Sequence, residues 1–162
     1  MISSNPTKRF IVMGVCGSGK TTIGKALADK LGIIFFDADD FHPAANREKM
    51  SQGIPLDDSD RLPWLSAIGD TISSTPSFVL ACSALKESYR SILCQACPDL
   101  KIILLHGSPE QLTERLQSRK NHFMPPALLA SQLATLEIPT NALTLNIALT
   151  PEQMIEKIIS QE

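Results

Sequence analysis

The sequence has little that would take it to a membrane or to a polyanion. Its 15 Lys and Arg residues against 17 Asp and Glu leave a net charge of −2. No basic tail or long Lys/Arg run breaks that balance, which disfavours nucleic acid or a charged membrane surface as a partner. No apolar stretch approaches the ~20 residues that a spanning helix needs. Met1-Ile-Ser-Ser-Asn-Pro6 lacks the apolar centre of a signal peptide, so a cytoplasmic setting is expected. Cysteines are few. Cys94 and Cys97 have C-x-x-C spacing, but no second pair or nearby histidine completes a zinc site, and reduced thiols are expected. The Asn-Lys-x-Asp signature of guanine recognition is absent, as are internal repeats, linkers and low-complexity segments. A chain of 162 residues is then expected to form one domain with a proper core.

What is present is concentrated in one stretch. Gly14-Val-Cys-Gly-Ser-Gly-Lys20-Thr21 fits G-x-x-x-x-G-K-[ST] at every fixed position. Glycines at 14, 17 and 19 permit positive φ and turn backbone N–H groups inward, and the start of the following helix adds its own. Lys20 can reach the β- and γ-phosphates, and the Thr21 hydroxyl can hold Mg²⁺. Phe10-Ile-Val-Met13 before the motif reads as a buried parallel strand, and Ile23, Leu27, Ala28 and Leu31 after it form one helical stripe. Strand, Gly-rich loop, helix is the setting that the motif requires. The nucleotide contacts are therefore expected at Gly14, Val15, Cys16, Gly17, Ser18, Gly19, Lys20, Thr21 and Thr22.

Strands and helices alternate along the rest of the chain. Strands are predicted at about 9–15, at Ile33–Phe36, Phe78–Cys82, Lys101–Leu105 and Leu143–Ile147, the last near an edge. Helices are predicted up to about Leu31, over Pro43–Gln52, from about Asp60 or Arg61 to Ser74 with Pro63 in the first turn, after Leu85, from Ser108 to about Lys120, from about Ala127 to Leu136, and after Thr150. Ser108-Pro-Glu-Gln111 and Thr150-Pro-Glu-Gln153 are capping boxes. The pattern predicts an α/β fold: a parallel five-stranded sheet with helices on both faces.

Ligands in such a sheet sit beyond the carboxyl ends of the strands. The third strand ends without an acid, so the acidic role falls on Asp37-x-Asp39. Successive side chains of an extended segment alternate, which would point both carboxylates into one cavity. Asp37 is then expected beside Mg²⁺ and Asp39 beside the attacking hydroxyl. Lys86 and Arg90 share a helix face with no acid at 82, 83, 93 or 94, which suits an anion held between them. Arg115 and Arg119 repeat the spacing next to the break at 121–126, a place for a moving lid, and are candidates to neutralise transferring phosphate. His42 could meet substrate or cap the next helix. Trp64 reads as core.

These residues resemble gluconokinase of the small P-loop type, related in fold to shikimate and nucleoside-monophosphate kinases. Asp37-Ala-Asp-Asp-Phe-His-Pro43, Asp60-Arg-Leu-Pro-Trp-Leu65 and Cys82-Ser-Ala-Leu-Lys86 carry the resemblance together with the phosphate loop. It implies ATP-dependent phosphorylation of D-gluconate to 6-phospho-D-gluconate, with Mg²⁺, a lid at about 115–126 and a homodimer. It also implies that Asp39, His42, Arg61, Lys86 and Arg90 surround the sugar acid. Two alternatives stay open: a shikimate-type kinase of the same fold, and a nucleotide-binding switch without catalysis.

Overall fold

The computed structural model describes residues 6–118 and 126–162. Five strands form one parallel sheet: β1 (Arg9–Met13), β2 (Ile34–Asp37), β3 (Phe78–Ala81), β4 (Lys101–His106) and β5 (Leu143–Asn146). Their order is β2-β3-β1-β4-β5, so β5 is an edge as expected. Every pairing is parallel, with Ile11 opposite both Leu80 and Ile102.

The helices are α1 (Lys20–Leu31), α2 (Ala44–Ser51), α3 (Asp58–Ser73), α4 (Glu87–Ala96), α5 (Pro109–Gln117), α6 (Pro126–Thr135) and α7 (Pro151–Ser160). The period of two in β1 divides the core. Phe10 and Val12 pack with Ile23, Leu27, Met154 and Ile158 of α1 and α7. Ile11 and Met13 pack with Leu65, Ile68, Ile72 and Leu93 of α3 and α4. Both faces of the sheet are thus covered, which a parallel sheet requires. Both expected capping boxes form, at Ser108 and at Thr150.

Three local expectations are corrected. The first strand ends at Met13, because Gly14 at φ 154° already belongs to the loop. Helix α3 starts at Asp58, where Asp57 and Asp60 form a reciprocal capping box. Pro63 consequently lies inside the helix and not in its first turn, where the missing N–H leaves the carbonyl of residue 59 without its helical donor. The third is at β2, whose chain does not stay extended. A 3-10 turn over Ala38–Phe41 follows directly, capped by the Asp37 carboxylate accepting from the Asp39 N–H at 3.0 Å.

The topology places a crevice at the carboxyl end of β1. The chain leaves β1 toward β2 on one side and leaves β4 toward β5 on the other, the arrangement that opens a ligand site in α/β sheets.

Candidate active site

The loop between β1 and α1 is held by its own backbone. Ser18 N–H donates to the Val15 carbonyl at 3.2 Å and Ile23 N–H to the Gly19 carbonyl at 3.0 Å. A Cβ on Gly14 would meet Ser18 Oγ at 2.6 Å and the Leu105 carbonyl oxygen at 2.7 Å, so the strand end accepts no side chain there. Gly19 caps α1 in the left-handed conformation at φ 91°. Val15 and Ser18 are buried beneath the loop, and the Ser18 hydroxyl has no partner among the described residues. These two and Gly14 shape the loop. Cys16, Gly17, Gly19, Lys20, Thr21 and Thr22 line a cleft of about 260 Å³ above it.

The opposite wall of that cleft carries both predicted acids, together with Ser83 and Gln132. The 3-10 turn, and not strand alternation, brings Asp39 there. Thr21 Oγ1 lies 3.5 Å from Asp37 Oδ2. Lys20 Nζ donates to the Val15 carbonyl at 3.2 Å. Asp39 as a residue is exposed, and only its carboxyl is partly buried by the protein around it. That burial, and then the neighbouring Asp37 carboxylate, raise its pKa above the ordinary carboxylate value, against the opposing pull of His42 and Lys20.

A second cavity of about 290 Å³ adjoins the loop on its other side, lined by Gly17, Gly19, Thr22, Arg115 and Met154. The Arg115 guanidinium bonds the Ile147 carbonyl, which pins it across this cavity. Arg119 and most of the expected lid lie outside the described residues.

The other residues expected at the sugar acid form a network of paired side chains. His42 stacks on Trp64 with ring centroids 4.4 Å apart, and Trp64 Nε1–H donates to the Ala38 carbonyl at 2.7 Å. Trp64 is therefore both core and platform. The buried Asn46 amide donates to the Asp60 carbonyl at 2.9 Å and stands 3.2 Å from His42 Nδ1. An amide NH₂ facing Nδ1 makes that nitrogen the acceptor and leaves the imidazole proton on Nε2. Burial, aided by Arg47 and Arg61, lowers the His42 pKa against the pull of Asp39, which favours the neutral ring.

Arg61 and Lys86 both lie over the Tyr89 ring, at 5.4 and 5.5 Å from its centroid. Arg61 donates to the Tyr89 hydroxyl at 2.9 Å, and that hydroxyl donates to Asp58 at 2.6 Å. Lys86 reaches the same Asp58 oxygen at 3.3 Å. The expectation that Lys86 and Arg90 lack acidic partners is overturned. Lys86 is the extended N-cap of α4 and so does not share a helix face with Arg90; Asp58 of α3 serves Lys86, and Glu87 serves Arg90 at 2.9 Å from one turn back. Arg90 is also buried. It donates to the carbonyls of Ala84 and Glu137, each at 2.7 Å. Ala84 is in the left-handed region at φ 43°, so Arg90 braces a strained loop at the end of β3.

None of the four cysteines is in a disulfide, and burial pushes Cys82 up to about 12, where it is inert. No helix among the described residues is long and apolar enough to cross a membrane.

The shikimate kinase family model matches residues 16–157. A gluconokinase of Gluconobacter oxydans is 48% identical over 134 residues, covering 80% of this chain and 75% of the relative. The thermosensitive gluconokinase of Escherichia coli K12 is 49% identical over 134 residues, covering 80% and 72%. The crystal structure of a gluconokinase from Sinorhizobium meliloti superposes with a TM-score of 0.88 at 42% identity, covering 97% of this chain and 92% of that one. The chain belongs to the gluconokinase family. Within that family its fold is the P-loop kinase fold that the sequence predicts, and it is a kinase; the loop and both acids line its cleft, whereas His42, Arg61, Lys86 and Arg90 are not among the residues that line it.

Residue-type reasoning alone left out Asp58, Asn46 and Gln132. A signal existed for Gln132. It takes the i+3 place of a stripe, Leu129, Gln132, Leu133, Leu136, whose other members are apolar.

Proposed function

We propose that this chain transfers the γ-phosphoryl group of ATP to the 6-hydroxyl of D-gluconate, giving 6-phospho-D-gluconate and ADP. The observation that carries the substrate is the near-half identity to gluconokinases over most of the chain. A cleft lined by the phosphate loop, Asp37 and Asp39 supports the chemistry. Backbone N–H groups of the loop and Lys20 hold the β- and γ-phosphates. Arg61 and Lys86 draw the sugar-acid carboxylate toward Tyr89, with Arg90 holding the loop beneath it and His42 Nε2–H offered to a hydroxyl. Asp39, with its raised pKa, accepts the 6-hydroxyl proton as the oxygen attacks phosphorus. Arg115 and Arg119 balance charge on the transferring group.

The donor set suits Mg²⁺, which takes one or two protein oxygens besides phosphate and water. Thr21 Oγ1 and Asp37 Oδ2 would hold it, directly or through water. When bound, it neutralises charge on the phosphates. A single catalytic domain over 1–162 with a lid at about 115–126, a homodimer and a cytoplasmic setting complete the reading.

A coupled ADP-release assay with and without D-gluconate, and with shikimate in its place, tests it. ADP release that depends on gluconate is expected. Release that depends on shikimate, or on no acceptor, would overturn it.

A further inference from the structure

Gln132 is the one polar side chain that α6 sends into the phosphate cleft. Its Oε1 accepts from the Cys16 N–H at 2.7 Å, across 116 residues of sequence. That N–H belongs to the phosphate loop and can only donate. The amide oxygen must therefore face the loop, and the Nε2 amino group must face away from it. No described residue accepts from this amino group, and Gln132 lines the same cleft as Lys20, Thr21, Asp37 and Asp39.

The helix holding Gln132 is fixed firmly at its far end. Glu137 N–H donates to the Leu85 carbonyl at 2.8 Å, and Glu87 N–H donates to Glu137 Oε1 at 3.0 Å. Arg90 donates to the Glu137 carbonyl at 2.7 Å. Leu129 is buried in the core beneath. A donor supplied by a helix anchored in this way loses little freedom when it meets its ligand, which is what preorganised electrostatic catalysis requires.

We propose that Gln132 is a catalytic residue of the phosphoryl transfer. Its oxygen holds the loop at Cys16, and its amino group donates a hydrogen bond to a non-bridging oxygen of the γ-phosphoryl group. The step itself is the one described above: the 6-oxygen–phosphorus bond forms, the bond from phosphorus to the β–γ bridging oxygen breaks, and the hydroxyl proton goes to Asp39. Gln132 transfers nothing. It stabilises charge on the equatorial oxygens and links the loop to the brace formed by Arg90. The inference rests on the kinase reading for its second substrate, but its first test needs none.

Glu in place of Gln keeps the acceptor for Cys16 and removes the donor. Gln132→Glu should bind ADP within about twofold of wild type, since ADP has no γ-phosphate. It should bind the non-hydrolysable analogue AMPPNP about tenfold more weakly, and its kcat with gluconate should fall about 10²-fold, the scale of a lost oxyanion donor. Gln132→Met, of similar volume and without charge, should show the same split between the two nucleotides with a smaller loss of AMPPNP affinity. Calorimetric binding of both nucleotides without gluconate separates this test from the choice of acceptor, and ADP binding reports that each variant is folded. Equal weakening of ADP and AMPPNP in both variants would reduce Gln132 to loop packing. A kcat within about threefold of wild type in Gln132→Glu would remove it from the reaction.

Discussion

The phosphate loop and the side-chain network around Tyr89 are built on opposite plans. The phosphate side is backbone: glycines at fixed spacing, a helix start and one lysine. The proposed acceptor side is a set of side chains already paired with one another. Lys86 and the Tyr89 hydroxyl share Asp58, Arg61 holds Tyr89, Lys49 holds Asp60 at 2.9 Å, and Arg90 is enclosed. Backbone recognition accepts any phosphate of the right geometry. Paired side chains recognise one acceptor, because each polar group must find a replacement partner when substrate enters. On the proposed reading, chemistry common to many kinases sits at the loop and substrate choice in the side-chain network.

The largest expected effect breaks the phosphate side. Lys20→Ala should abolish transfer while leaving the thermal transition in place, since Lys20 faces the cleft and not the core. Steady-state turnover beside a thermal melt checks both halves of that statement.

Next comes Asp39, which stands between the two sides. Asp39→Asn keeps the shape and removes the base, so kcat should fall about 10²–10⁴-fold with ATP binding little changed. The sign of its pKa adds a second readout. Folding raises this pKa, so the stabilising contribution is present when the carboxyl is protonated and is lost as pH rises through the folded value. At pH 7 the ionised group costs stability, and Asp39→Asn should melt slightly higher than wild type. The acid limb of the wild-type pH–rate profile should lie above the ordinary carboxylate value and should vanish in the variant. Asp37→Asn should instead weaken Mg²⁺ dependence and be partly rescued by added Mg²⁺.

Lys86, the N-cap of α4, and Arg90 inside that helix sharpen the comparison. Lys86→Ala should raise the gluconate KM about tenfold and leave the ATP KM and the melting temperature nearly unchanged. Arg90→Ala should also raise the gluconate KM, but it strips donors from the Ala84 and Glu137 carbonyls. At about 1–3 kcal/mol for each polar group left unsatisfied, it should lower the melting temperature clearly. Equal melting of the two variants would contradict the enclosed position of Arg90.

The smallest effect is Tyr89→Phe. It leaves the ring under Arg61 and Lys86 and removes only the hydroxyl between Arg61 and Asp58. The gluconate KM should rise about threefold to tenfold, as for one hydrogen bond.

The same contrast explains what could be read from sequence. The phosphate loop was legible because its backbone demands glycine at stated places. The sheet and the two Ser/Thr capping boxes were legible for the same reason: short-range pattern determines them. The start of α3 was missed because its capping box uses Asp at both ends. The pairing of Arg90 was missed because Glu87 sits three residues before it, inside the stretch between the two bases. Lys86 finds Asp58 at a separation of 28 residues, which no local pattern reveals. Asp37 and Asp39 reach the cleft as expected, but through a 3-10 turn that the apolar run of β2 does not announce.

The most direct test of the central claim is the position of the transferred phosphate. Incubation with ATP, Mg²⁺ and D-gluconate, followed by ³¹P–¹H correlation NMR of the product, should show phosphorus coupled to the two protons on carbon 6, and Lys20→Ala should give none. Phosphate on another hydroxyl would contradict the placement of Asp39, and inorganic phosphate alone would contradict gluconate as the acceptor.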